Sequence, residues 1–105
     1  MLNAFREKIA KEKISEFCRK WKVKELALFG SVLTEKFRED SDIDVLVTLM
    51  DDANHSLFDL VHMEEELEQI FGREVDLVSR RGIESSRNYL RKEAILSTAE
   101  AVYAA

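Results

Sequence analysis

Apolar residues in the first part of the chain recur at helical spacing. Over residues 3–22, Ala10, Ile14, Phe17, Cys18 and Trp21 share one side with Lys and Glu between them, and Leu2, Phe5 and Ile9 extend that side with some drift. This spacing predicts an amphipathic helix. The next apolar stretch, Leu26-Ala27-Leu28-Phe29, is a short continuous run that stops at Gly30, the mark of a buried strand followed by a turn. Residues 32–37 can supply one or two helical turns, and residues 38–42 read as a polar loop. Ile43 to Leu49, rich in Val and Ile, reads as a second strand.

Asp51-Asp52-Ala53-Asn54 breaks the chain again. Ser56 can cap the next helix, with Asp59 three positions on as an imperfect capping box. That helix carries Leu57, Leu60, Val61, Leu67, Ile70 and Phe71, and Gly72 can close it in the left-handed conformation. Glu74 to Val78 is a third short strand. Gly82 opens a turn into a last helical stretch, residues 85–104, broken near Ser97-Thr98. Strands that alternate with helices predict an α/β domain, a small sheet covered by helices.

The 105 residues form one domain, 1–105, because two separate cores in so short a chain would each be too small. The net charge of −5 argues against direct nucleic-acid binding, which relies on neutralising phosphates. No apolar run approaches the roughly 18–20 residues of a membrane span, so no membrane association is expected. A single cysteine, Cys18, excludes an internal disulfide and a Cys-rich zinc site. With no apolar signal core at the N-terminus, the expected compartment is the cytoplasm.

Asp42 and Asp44 are the strongest chemical signal. On a strand, residues i and i+2 project to one face, so these carboxylates lie about 6–7 Å apart with Ile43 and Val45 on the opposite face. Such a pair either converges on a divalent cation, for which hard oxygen ligands suit Mg²⁺, or caps a turn and sits on a solvated face. Asp76 lies between apolar neighbours in the third strand. If that strand is adjacent to the second, three carboxylates share one face and repel one another unless a cation neutralises them. Gly30-Ser31 directly after the first strand is either an ordinary turn or a phosphate cradle. It would be an anion site at a helix N-terminus if residues 32–37 were helical.

Taken together, Gly30-Ser31, ten residues, then Asp42-x-Asp44 inside Ser41-Asp42-Ile43-Asp44-Val45-Leu46-Val47 resembles the signature of the nucleotidyltransferase superfamily that includes DNA polymerase β. The short chain, the leading helix and Val75-Asp76-Leu77-Val78 most resemble its minimal nucleotidyltransferases, the MntA-like antitoxins paired with HEPN ribonuclease toxins. The resemblance runs from about residue 20 to the end. It implies a nucleotidyltransferase fold with a short mixed sheet flanked by helices. It further implies that Gly30 and Ser31 bind the nucleotide phosphates, that Asp42 and Asp44 bind Mg²⁺, and that Asp76 completes the metal site and can act as base. The implied reaction is transfer of AMP from ATP to a tyrosine of a HEPN toxin in a hetero-oligomer. Many relatives carry a small residue and then Arg-Gly shortly after the Gly-Ser, whereas this chain has Leu33, Thr34 and Glu35, so a cationic phosphate contact is missing there. An antitoxin that only binds its toxin, and transfer of a nucleotide to a small molecule, are the competing functions.

The remaining polar residues have plainer readings. His55 and His62 are not expected to form a metal site. Cys18, Phe17 and Trp21 read as core residues of the first helix. Glu64, Glu65, Glu66 and Glu68 read as a solvated helix face. Arg80, Arg81, Arg87, Arg91 and Lys92 are either solvated helix ends, a docking surface for an acidic partner, or, for Arg80 and Arg81, a triphosphate contact.

Overall fold

The computed structural model describes residues 11–34, 38 and 41–105. Helix α1 (Lys11–Lys20) leads into strand β1 (Val23–Phe29), a 3-10 turn (Gly30–Leu33) and strand β2 (Ile43–Leu49). Helix α2 (Leu57–Phe71) connects β2 to β3 (Val75–Ser79). A short helix α3 (Arg80–Glu84), helix α4 (Tyr89–Thr98) and strand β4 (Glu100–Ala104) follow. The α/β fold expected from the sequence is the fold observed: one mixed sheet in the order β3-β2-β1-β4, flanked by helices. β1 is antiparallel to both β2 and β4, and β2 is parallel to β3.

Both faces of the central strands are covered, which explains why β1 is an unbroken apolar run. Val23, Leu26 and Leu28 join Ile43, Val45, Val47 and Val75 against α1 and α2, where Ile14, Phe17, Cys18, Met63 and Leu67 complete the main core. Ala27, Phe29 and Leu46 form the other face with Ile83 of α3 and Ile95 of α4. The period-two alternation of β2 therefore assigns Asp42, Asp44 and Leu46 to the α3–α4 side.

The ends of α2 follow the local signals closely. Ser56 accepts from the Asp59 N–H and the Asp59 carboxylate accepts from the Ser56 N–H, so the capping box is complete where the sequence suggests an imperfect one. Gly72 closes the helix at φ 73°, with its N–H on the Glu68 carbonyl.

The C-terminal segment departs from the sequence expectation. The sequence predicts a last helical stretch to residue 104, but α4 ends at Thr98 and residues 100–104 form an edge strand. Pairing with β1 outweighs the helix propensity of the alanines there. Only Lys11–Lys20 of the first helix is described, so Leu2, Phe5 and Ile9 lie outside the described residues, as do residues 35–37. No helix among the described residues is long and apolar enough to cross a membrane.

Candidate active site

The site begins where β1 ends. Phe29 pairs with Asp44, and the chain then turns at Gly30 with φ 77°, a left-handed conformation in which side chains are strained. A Cβ on Gly30 would collide with the Asp44 Oδ2 and stand 3.1 Å from its Cγ. Glycine is thus required twice over, by backbone conformation and by the close approach of a carboxylate.

Asp44 is also in register with Asp76 across the parallel β2–β3 pair. Asp76 has the same parity along its strand as Val78, which packs with the α3–α4 core, so Asp42, Asp44 and Asp76 share that face. Asp44 is half-buried, whereas Asp42 and Asp76 are exposed. Burial raises the Asp44 carboxyl above its ordinary value, and the charges of Asp76 and Asp42 push it further up. The Arg91 guanidinium, on α4, pulls in the opposite direction.

Two residues that the sequence did not assign to the site, Arg73 and Glu64 (the latter read as part of a solvated helix face), adjoin this arrangement. Arg73 donates from Nη1 to the carbonyls of Arg38 (2.9 Å) and Ser41 (3.3 Å), tying the backbone just ahead of Asp42 to the turn after α2. The Ile43 N–H bonds the Glu74 carbonyl at 2.9 Å and fixes the same junction. No motif marks Arg73; only its place between the Gly72 cap and β3 hints at a tether. Glu64 is the second: burial raises its carboxyl, and Asp76 adds repulsion, so the acidic edge extends to α2.

The glutamates of α2 are therefore more than a solvated face. Glu66 accepts from Lys20 Nζ (3.0 Å) and Trp21 Nε1 (2.9 Å), and Glu68 accepts from the Val75 N–H at 3.1 Å, which caps the start of β3. Cys18 is a core residue as expected; burial pushes its thiol up to about 12, which leaves it unreactive. Phe17 is buried and Trp21 packs against the core. His55 bonds the Trp21 carbonyl through Nε2 at 2.6 Å and so joins two segments of the fold.

The Gly30-Ser31 pair lies within a four-residue 3-10 turn, so an anion site at a helix N-terminus is not formed there. Arg80 and Arg81 are displaced from the carboxylates. Ser79 pairs with Val47, three residues beyond the Asp44–Asp76 pair, which separates Arg80 from Asp76 by roughly 13 Å of strand. Arg80 instead faces Glu25 (3.8 Å) and Glu84 (3.9 Å). A cleft of about 550 Å³ opens at that far end, lined in part by Thr48, His55, Ser79, Arg80 and Arg81. Arg80 and Arg81 are thus remote from Asp44, and Arg91 is exposed on α4.

A family model for the nucleotidyltransferase domain matches residues 10–100. The chain belongs to this family. A Methanocaldococcus jannaschii relative, provisionally named protein adenylyltransferase MJ0435, is 38% identical over 89 residues, covering 85% of this chain and 89% of the relative. The protein adenylyltransferase MntA of Thermococcus cleftensis is 36% identical over 70 residues, covering 67% of this chain and 69% of its own length. A solved structure provisionally described as a minimal nucleotidyltransferase aligns with TM-score 0.69 at 30% identity, over 94% of this chain and 93% of that one. The same fold recurs in a toxin–antitoxin crystal structure with AMP-PNP, at TM-score 0.69 and 22% identity, over 91% of this chain and 74% of that one. The nucleotidyltransferase fold implied by the sequence signature is thus the fold of the family.

Proposed function

We propose that this nucleotidyltransferase is a Mg²⁺-dependent protein adenylyltransferase that acts as an antitoxin, moving AMP from ATP to a tyrosine of a HEPN-type ribonuclease toxin. The observation that carries the reading is the alignment of Asp42, Asp44 and Asp76 on one sheet face, with Gly30 pressed against Asp44. Relatives named as protein adenylyltransferases, and a shared fold with a toxin–antitoxin complex that holds AMP-PNP, support the substrate class and the partner.

The donor set suits a divalent cation. Burial, and then repulsion from Asp76 and Asp42, raise the Asp44 carboxyl, and a bound cation would relieve the repulsion. Among the described residues no three His, Cys, Asp or Glu side chains alone are gathered closely enough to hold a metal. Mg²⁺ would therefore take its other ligands from phosphate oxygens and water. When bound, it neutralises the phosphate charge that builds up during transfer.

Each residue then has one task. Gly30 lets the backbone come close to the phosphates, and Ser31 offers a hydroxyl and an N–H to them. Asp42 and Asp44 would hold the metal. Asp76 accepts the phenolic proton as the tyrosine oxygen attacks the α-phosphorus. The bond between that phosphorus and the bridging oxygen breaks, and pyrophosphate leaves with the electron pair.

The test is to incubate the chain with a cognate HEPN toxin at about one molecule per ten toxins, with Mg²⁺ and ATP, and to measure the toxin's intact mass and ribonuclease activity. A toxin heavier by one or more AMP groups, and still inactive after the chain is removed, is the expected result. Neutralisation that is strictly stoichiometric, ignores ATP and survives Asp42→Ala/Asp44→Ala would mean an antitoxin that acts by binding alone. Label on an added small molecule, with none on the toxin, would mean a small-molecule transferase.

A further inference from the structure

Helix α2 carries more apolar surface than the core uses. Met63 and Leu67 are buried beneath the sheet, and Leu60, Ile70 and Phe71 pack beside them. Leu57 and Val61 fit the same helical spacing, yet they stand in solvent with Phe58, at 79%, 51% and 79% exposure respectively. Positions 57, 58 and 61 adjoin one another on the first turns of the helix, so the three side chains make one patch. Apolar side chains gathered in solvent mark a contact surface.

The setting of the patch is acidic. From residue 39 to residue 72 the sequence has no Lys or Arg, and Asp51, Asp59 and Glu65 flank the patch along the chain. Lys20 and Lys22 reach this region from α1 and the turn after it, and both are paired, with Glu66 at 3.0 Å and Asp52 at 3.3 Å. A second copy meeting the patch face to face would set Asp59 and Glu65 against their own images, which repels. A surface that is apolar and basic fits instead. The patch also leaves the carboxylates free. Helix α2 begins past the end of β2 and returns alongside the sheet to β3, whereas Asp44 and Asp76 lie near the starts of those strands. Its 15 residues span about 22 Å, within the reach of one small domain.

We propose that Leu57, Phe58 and Val61 dock the basic surface of the HEPN-type toxin and hold it while its tyrosine reaches the carboxylates at the other end of the sheet. This rests on the antitoxin reading and adds the surface that anchors the partner. A ribonuclease needs cationic side chains to hold RNA, and such side chains complement the acidic rim of the patch. The three apolar residues form the desolvated centre of the contact. The complex therefore forms without ATP, and it covers part of the toxin's cationic surface before any AMP is transferred.

The test is calorimetry of the chain against a cognate HEPN toxin without ATP, beside transfer kinetics with Mg²⁺-ATP. Phe58→Glu should bind the toxin about ten- to a hundredfold more weakly. Its KM for the toxin should rise with kcat unchanged, and its own affinity for Mg²⁺-ATP should stay that of the parent. Glu65→Lys should weaken toxin binding and flatten its dependence on salt. If the melting curve of Phe58→Glu shows a damaged fold, Val61→Gln carries the same measurements. Toxin affinity and KM unchanged in a folded variant overturn the proposal. So does self-association of the chain alone, seen by sedimentation and lost in Phe58→Glu, which would make a second copy the occupant. A parent chain that shows neither complex nor transfer with the toxin overturns the antitoxin reading and this inference with it, whereas parent and variant that bind the toxin equally overturn this inference alone.

Discussion

Gly30 and Asp44 are in direct contact: the space a Gly30 side chain would occupy is filled by the Asp44 carboxylate. Phe29 is paired across from Asp44, so the turn that follows must pass over that carboxylate. The phosphate-cradle candidate and the metal-ligand candidate are therefore one packed unit, not two neighbouring features.

Gly30→Ala should lose about 1–3 kcal/mol of stability, from left-handed strain and the clash together. Urea titration of Gly30→Ala, Asp44→Ala and the double variant measures the two parts. The double variant should be more stable than the sum of the single effects, because removing the carboxylate clears the clash and leaves only the strain. Strict additivity would mean the two residues do not touch.

Asp44 makes metal-free stability depend on pH. Its folded carboxyl titrates above its ordinary 3.8, so the folded state binds more protons than the unfolded state between the two values. The Asp44 contribution is fully present below the ordinary value and is lost as pH rises through the raised one. Asp44→Asn should therefore gain stability relative to the parent as pH increases across that window. Melting curves from pH 3 to pH 8 without divalent ions would show the gap widen and then level off. It should widen by less than about 1.4 kcal/mol per pH unit, because solvent screens a half-buried carboxylate. Adding Mg²⁺ should narrow it.

Ser31→Ala should leave the fold nearly unchanged. The turn is closed by the Ser31 carbonyl, which accepts from the Thr34 N–H at 2.9 Å and from Thr34 Oγ1 at 3.0 Å, and the substitution keeps that carbonyl. Nucleotide affinity should fall about tenfold if the hydroxyl meets a phosphate. Calorimetry with Mg²⁺-ATP, beside a melting curve, separates the two effects.

Leu67 is fully buried beneath the sheet, one turn before the end of α2. Leu67→Ala should cost about 2–5 kcal/mol. Because α2 leads through Gly72 and Arg73 into β3, amide hydrogen exchange should rise first in β3, beside Asp76. Uniform loosening of the whole sheet would argue that β3 is not held by α2.

Local chemistry made much of this protein legible. A continuous apolar run located β1, a Val- and Ile-rich stretch located β2, and helical spacing located α2, with the Ser56 and Gly72 signals at its two ends, because such signals act over a few residues. The Asp42-x-Asp44 spacing already required a shared face. Pairing between distant segments was not legible. Residues 100–104 are a strand only because the edge of β1 is open to them, and their own composition favours a helix. The register that sets Asp76 beside Asp44 and the removal of Arg80 to the far end both depend on where long-range contacts place each strand. A sequence determines which residues share a face of one element, but only the packed sheet decides which faces and ends meet.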